Sequence, residues 1–159
     1  MRKHLLVVCS LVLSASAAMA PGRVETEWHC SKPATGYKLN VGDMPDHTYS
    51  IIQGSCTATS SDSGFAEKTG DYTEFEETWK ASMSWHGRFN VTMDSGDKVY
   101  YTYEGSGPTE IGKPVSNKWK IQSGTGKAKG IKGSGTCSGK RNADGSSDWA
   151  CSGTYSTSK

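Results

Sequence analysis

Glu77 is the residue whose type and position point most directly to chemistry. It alternates with Phe75 and Trp79 on what the pattern predicts to be the apolar face of a strand. A carboxyl group in an apolar interior must be paired, hydrogen-bonded or raised in pKa, and a raised pKa suits proton transfer. The alternatives are a structural glutamate with a partner and a bulge that turns the side chain outward. Glu77 is therefore the one candidate catalytic residue.

Aromatic side chains from several predicted strands would surround this carboxyl group. They are Trp79, Trp85, Tyr101, Tyr103 and Trp119. Together with Glu77 they are the candidate ligand-binding residues, because tyrosine and tryptophan combine apolar area with a polar atom that usually finds a partner. The alternative is a packed core, since side chains alone can fill a barrel of roughly eight strands.

No metal or cofactor is predicted. His29, His47 and His86 are spread over separate predicted elements, and their spacing matches no metal-binding motif. A zinc site built on cysteine is the other possibility, but the chain has no Cys-x-x-Cys sequence.

Period-two alternation is the main structural signal, and no segment shows sustained helical periodicity. The clearest stretch runs from Thr73 to Trp85, where odd positions are mostly apolar and even positions are polar. It predicts a single strand whose odd-numbered face, from Phe75 to Val91, is interior. The alternation resumes after Gly87, and residues 94–97 predict the turn of a long hairpin.

The first twenty residues predict a cleaved secretory signal. Arg2 and Lys3 precede a short apolar stretch, and small residues lead to cleavage at Ala17, Ala18 or Ala20. The stretch is too short to span a membrane, which takes roughly 20 apolar residues. We therefore expect residues 21–159 to form one domain, without a membrane span, in the periplasm or outside the cell.

Four cysteines remain after the signal: Cys30, Cys56, Cys137 and Cys151. An even number in an exported chain predicts disulfides, with three possible pairings. A hairpin centred on Asp144 places Cys137 opposite Cys151, which leaves Cys30 to pair with Cys56.

The charge of the mature chain argues against nucleic-acid binding. Without Arg2 and Lys3 it has 16 basic and 16 acidic residues, whereas general nucleic-acid binding needs a cationic excess. The basic residues are concentrated after position 112. Either these basic strands pair beside acidic ones, or they form a cationic face for an anionic partner.

The segment from Trp119 to Thr136, WKIQSGTGKAKGIKGSGT, resembles the closing segment of allene-oxide-cyclase-like and dirigent-like β-barrels. It is most similar to small exported bacterial proteins of that calycin-like group. The resemblance covers about the last 45 residues and consists of a glycine pattern. It implies an eight-stranded antiparallel barrel with an apolar lumen, and it identifies no catalytic residue.

The predicted fold is all-β: a single antiparallel up-and-down barrel of about eight strands, with a C-terminal hairpin stapled by a disulfide. The expected function is binding of a small apolar or amphipathic molecule in the lumen. One alternative, implied by the resemblance, is an isomerase or cyclase that uses Glu77 on a reactive lipid-like substrate. The other is a filled barrel that acts through its surface. The oligomeric state is left open.

Overall fold

The computed structural model describes residues 21–62 and 64–157, so the predicted signal lies outside the described residues. This part of the chain consists of strands, turns and one short 3-10 turn at Gly126–Ala128, and it has no α-helix. The strands are β1 (Gly22–Cys30), β2 (Thr35–Asn40), β3 (Thr48–Ser61), β4 (Glu67–Trp79), β5 (Ser82–Met93), β6 (Lys98–Pro108), β7 (Pro114–Gly124), β8 (Ile131–Arg141) and β9 (Ser147–Thr157).

Eight of these strands close into an antiparallel barrel. The order is β1-β9-β8-β7-β6-β5-β4-β3, and β3 pairs back onto β1. The predicted all-β up-and-down barrel is therefore confirmed. The additional strand, β2, pairs with the first half of β3 while β1 pairs with its second half. β2 therefore lies beyond the end of β1 along the same edge of β3, and the break between the two strands contains Pro33.

The hairpin between β4 and β5 corrects the predicted interior face. Trp79 lies directly opposite Ser82, and the two residues between them, Lys80 and Ala81, form the turn. Two strands therefore occupy the stretch that the alternation predicted to be one. Because paired residues share a face, this turn places even positions of β4 and odd positions of β5 on the same side.

The interior therefore contains the even-numbered residues of β4 from Gly70 onward, and a register shift between Glu67 and Thr69 places the odd-numbered Glu67 inside as well. Phe75 is 50% exposed and Trp79 is 42% exposed on the outside, so the prediction that they are interior is wrong. It is correct in β5, where Met83, Trp85 and Val91 are buried.

Apolar side chains on the outer surface explain why the pattern was misleading. Tyr37, Ile51 and Phe75 lie side by side on β2, β3 and β4, and all three are exposed. In this part of the barrel the apolar face of β4 is the outer one. The added strand β2 contributes two of the most exposed apolar side chains, Tyr37 and Leu39.

Glycines on the inner face leave room for large rings from neighbouring strands. Trp119 lies across Gly135 and Gly153, and a side chain at either glycine would collide with its ring. Tyr103 covers Gly87 in the same way. Such glycines let aromatic rings lie flat against the barrel wall, which is a recognised way to stabilise glycine in a sheet.

Both predicted disulfides are present. Cys30–Cys56 joins β1 to β3, and Cys137–Cys151 joins β8 to β9, each between directly opposite residues. The second confirms the predicted stapled hairpin. Two disulfides are typical of an oxidising, extracellular environment. In the described part of the chain, no helix has the length and apolar character needed to cross a membrane.

Candidate functional site

The barrel interior contains a cavity of about 180 Å³ that is partly open to solvent. Its walls are mainly aromatic, and its polar groups are few. The rings that line it are Trp28, Tyr72, Trp85, Phe89, Tyr101, Tyr103 and Trp119, with Trp149 at the β9 wall. Such a combination of apolar walls and a few polar groups is typical of small-molecule sites.

Two adjacent rows of paired residues carry the polar groups of the cavity. In the first row Glu76 lies opposite Trp85, and Gly105 separates Trp85 from Asn117. The sheet register therefore places a carboxyl group, an indole ring and an amide along one line of the inner wall.

In the second row Glu74 lies opposite Gly87, and Tyr103 comes next, followed by Trp119. Because Gly87 has no side chain, the Tyr103 ring crosses it towards β4. The Tyr103 hydroxyl then donates a hydrogen bond to Glu74. This contact depends on the glycine, since any larger residue at position 87 would meet the Tyr103 ring.

Burial raises the pKa of Glu74 to about 8, and the neighbouring Glu76 carboxylate adds to the rise. Burial also raises the pKa of Glu76, where hydrogen bonding to Glu74 and the positive charges of Arg141 and Lys38 oppose the effect. The two carboxyl groups therefore resist ionising together near neutral pH. Burial likewise raises the pKa of the neighbouring Tyr72 to about 12.

Glu67 lies deeper in the barrel and is only 6% exposed. Its carboxyl oxygens accept hydrogen bonds from Thr26 Oγ1 and Tyr101 Oη, both at 2.6 Å. Burial raises the pKa of this carboxyl, and these two hydrogen bonds partly offset the rise. Both of its oxygens have protein partners, so Glu67 is a structural group in this wall.

Two buried polar atoms beside the cavity have no hydrogen-bond partner among the described residues. They are Asn117 Oδ1 and Trp119 Nε1. Both residues line the cavity, and Trp119 is only 5% exposed. Buried polar atoms are normally paired, and an unpaired one costs about 1–3 kcal/mol. One acceptor and one donor are therefore available to a bound molecule.

The structure brings together four of the six predicted ligand-binding residues. Trp85, Tyr101, Tyr103 and Trp119 all line the cavity. The other two, Glu77 and Trp79, are on the outer face of β4, so the prediction that they lie in the lumen is wrong. The physical reason is the two-residue turn at Lys80, which reverses the inward positions between β4 and β5.

Glu77 belongs instead to a hydrogen-bonded cluster around His47 on the outside. His47 Nε2 lies 2.9 Å from Glu77 Oε1, and its Nδ1 lies 2.7 Å from Asp43 Oδ1. Tyr49 also donates to Glu77. Hydrogen bonds that His47 donates to the carboxylates of Glu77, the larger effect, and Asp43 raise the pKa of His47, and the same bonds lower the pKa of each carboxyl.

We expect the cluster to stabilise the fold most in mildly acidic solution. A raised His47 pKa contributes stability below the unfolded value of 6.5, and this is lost as pH rises through the folded value. Replacing His47 with glutamine should therefore lower the thermal midpoint more at pH 5.5 than at pH 9. His86→Gln, on a residue that stacks on Phe75, is the control. A His47→Gln effect that is equal at both pH values would contradict this assignment.

The sequence did not reveal Glu67, Glu74 or Glu76 as interior groups. Glycine positions could have indicated the true inner face. Gly70 and Tyr72 are both even-numbered and so lie on the same face of β4, and Gly70 is covered by the Phe89 ring. The turn itself carries no glycine, asparagine or aspartate. Lys80 adopts a positive φ of 54° there, which is uncommon for a residue with a side chain.

Comparisons with known proteins do not assign the chain to a class. No protein-family model matches it, and a search of curated proteins returned no significant match. Within residues 21–62 and 64–157, no group of three or more histidine, cysteine, aspartate or glutamate side chains is arranged to hold a metal ion.

Proposed function

We propose that this protein is an exported binding protein that holds a small, mainly apolar molecule inside its barrel. The observation that carries the proposal is the aromatic cavity of about 180 Å³ with an unpaired donor and acceptor in its wall. A core packed only for stability would fill the space and pair these atoms. The predicted signal at residues 1–20 and the two disulfides support a periplasmic or secreted location.

The cavity volume indicates the size of the ligand. A dry cavity of about 150 Å³ holds benzene, and typical ligand sites measure about 300–1,000 Å³. The ligand is therefore one ring, or an aliphatic group of similar size, with a short polar substituent. This is smaller than the lipid-like substrates that the barrel resemblance implies.

An isomerase or cyclase is the second candidate, and Glu74 is the observation that favours it. A carboxyl with a raised pKa inside an apolar cavity is suited to proton transfer. Glu77 does not serve this role because it lies outside. Turnover of an epoxide or polyene by the wild type, lost in a folded Glu74→Gln variant, would establish the enzyme.

Two adjacent residues of β3 give a matched test of lumen binding. Ile52 lines the cavity, whereas Ile51 is exposed on the outer face. Ile52→Trp should fill the cavity and lower the affinity for a ring-sized ligand such as benzyl alcohol by roughly tenfold or more. Ile51→Trp adds the same group outside and should leave the affinity unchanged. Titration calorimetry measures both, after thermal midpoints show that the variants are folded.

Equal affinities in the two tryptophan variants would contradict binding in the lumen. If the folded wild type binds the ligand and both variants bind it with the same affinity, the site lies on the outer surface. If the folded wild type binds no ring-sized probe at all, the proposal is wrong.

A further inference from the structure

The carboxyl groups of Glu74 and Glu76 enter the lumen without forming a close ion pair with any described residue. Within residues 21–62 and 64–157, no lysine, arginine or histidine nitrogen lies within 4.0 Å of either group. Both line the cavity. Two neighbouring carboxyl groups without an ion-pair partner in a mainly apolar space are costly to ionise, and a ligand with a positive charge would offset that cost.

Arg141, the positive group of the same cavity, is already committed to the backbone. Its Nη2 atom donates to the carbonyl oxygens of Pro108, the last residue of β6, and of Thr109, which follows it. Lys38 is on the strand β2, whose residues are all exposed. The cavity therefore offers acceptors rather than free cations, which argues against an anionic ligand.

Aromatic rings flank the two carboxyl groups. Trp85 lies directly opposite Glu76, and Trp149 packs against it with ring centroids 6.3 Å apart. Tyr103 lies beside Glu74 in the second row. Organic cations are attracted to the faces of tryptophan and tyrosine rings, and the attraction is stronger where water is excluded.

The unpaired atoms of β7 are an observation independent of the carboxyl groups. Asn117 Oδ1 is a buried acceptor in the row of Glu76, with Trp85 and Gly105 between them. Trp119 is more than nine-tenths buried, and its Nε1 has no partner among the described residues. Both residues line the cavity and indicate a ligand that carries hydrogen-bonding atoms as well as apolar surface.

We infer that the ligand is a small organic ammonium ion, whose charged nitrogen pairs with Glu74 and Glu76 and whose apolar part packs on the surrounding rings. This inference rests on the proposed function, since it names the ligand class of the same lumen. Asn117 Oδ1 accepts a second N–H from the ammonium group or from a short polar substituent.

Ammonium binding should be linked to proton release. The charged and titratable groups that act on Glu74 are Glu76 and Tyr72 on its own strand and Tyr103 on β6, while Arg141 on β8 and Lys38 on β2 act on Glu76. Because the pKa of Glu74 is raised, this carboxyl is mostly protonated at pH 6, and an ammonium ion must displace the proton. Affinity should rise roughly tenfold between pH 6 and pH 8.

The test compares two probes that differ mainly in charge, benzylammonium and benzyl alcohol, by titration calorimetry on the full mature chain. We expect the wild type at pH 8 to bind benzylammonium roughly tenfold or more tightly than the alcohol. Glu74→Gln should abolish this preference. Glu77→Gln, the same substitution on the outer face of β4, should keep it. Benzyltrimethylammonium, whose charge does not titrate, isolates the pH dependence of the protein.

The outcomes separate this inference from the proposed function. Equal binding of both probes by the wild type would overturn the ammonium assignment and leave lumen binding in place. Preference retained in folded Glu74→Gln and in Glu76→Gln would also overturn it. Binding of neither probe would remove both proposals. If Glu74→Gln fails to fold, the wild type alone tests the inference: it must prefer benzylammonium to benzyl alcohol, and this preference must increase with pH.

Discussion

Replacing Trp119 with alanine should lower the free energy of unfolding by about 3–5 kcal/mol, as expected for a large ring removed from a core. The indole is buried, contacts the Tyr101 ring edge-on at 5.6 Å and covers Gly135 and Gly153. Its loss would uncover two glycines in neighbouring strands as well as create a cavity. Urea unfolding followed by circular dichroism measures the change.

Trp79→Ala is the matched control, because it removes the same side chain from the outer face of β4. Trp79 is partly exposed and stacks on Lys80 and His47. We expect a loss of less than about 1 kcal/mol, since surface substitutions usually have small effects. The alternation pattern alone would have predicted a large loss at Trp79. Equal losses in the two variants would show that the inner face of β4 is misassigned.

Removing the Cys30–Cys56 disulfide is the second change with a large expected effect. The Cys30→Ala, Cys56→Ala double variant should lose about 3.5 kcal/mol through the greater entropy of its unfolded chain. The residues are 26 apart in sequence and lie where β1 pairs with β3 to close the ring. A domain of ordinary stability, about 5–15 kcal/mol, would lose a large share of it.

The Cys137→Ala, Cys151→Ala variant provides the comparison. Its residues are 14 apart within one hairpin, so the expected loss is about 3 kcal/mol. Both losses are measured by urea unfolding of the two double variants beside the wild type. Full retention of stability without Cys30–Cys56 would contradict the role of this bridge in holding the ring closed.

The barrel and its disulfides could be predicted because their signals are local. Alternation, turn residues such as those at 94–97, and cysteines placed symmetrically about Asp144 each report on a few neighbouring residues. Antiparallel hairpins convert such local signals into a global arrangement, since from β2 to β9 each strand pairs with the next one along the chain.

The inner face of β4 could not be predicted, because it depends on where a turn falls. A shift of one residue in a strand moves every side chain to the opposite face. The Lys80–Ala81 turn lacks the residues that normally mark a hairpin. Apolar residues on the outer face, such as Phe75, then produced a pattern that predicted the odd-numbered face of β4 to be interior. The residues that depend on this parity, Glu74 and Glu76, were therefore missed, while Trp85 and Trp119 on other strands were found.

The place of β1 in the ring determines the order in which the barrel can be assembled. Gly22 pairs with Tyr155, so this seam joins nearly the two ends of the described chain. Contacts between such distant residues form slowly, because the long intervening chain must first be brought together. Neither disulfide crosses the seam: one ties β1 to β3, and the other ties β8 to β9. We therefore expect the pairing of β1 with β9 to form last, because it joins the two disulfide-linked strand pairs, β1–β3 and β8–β9, into a closed wall.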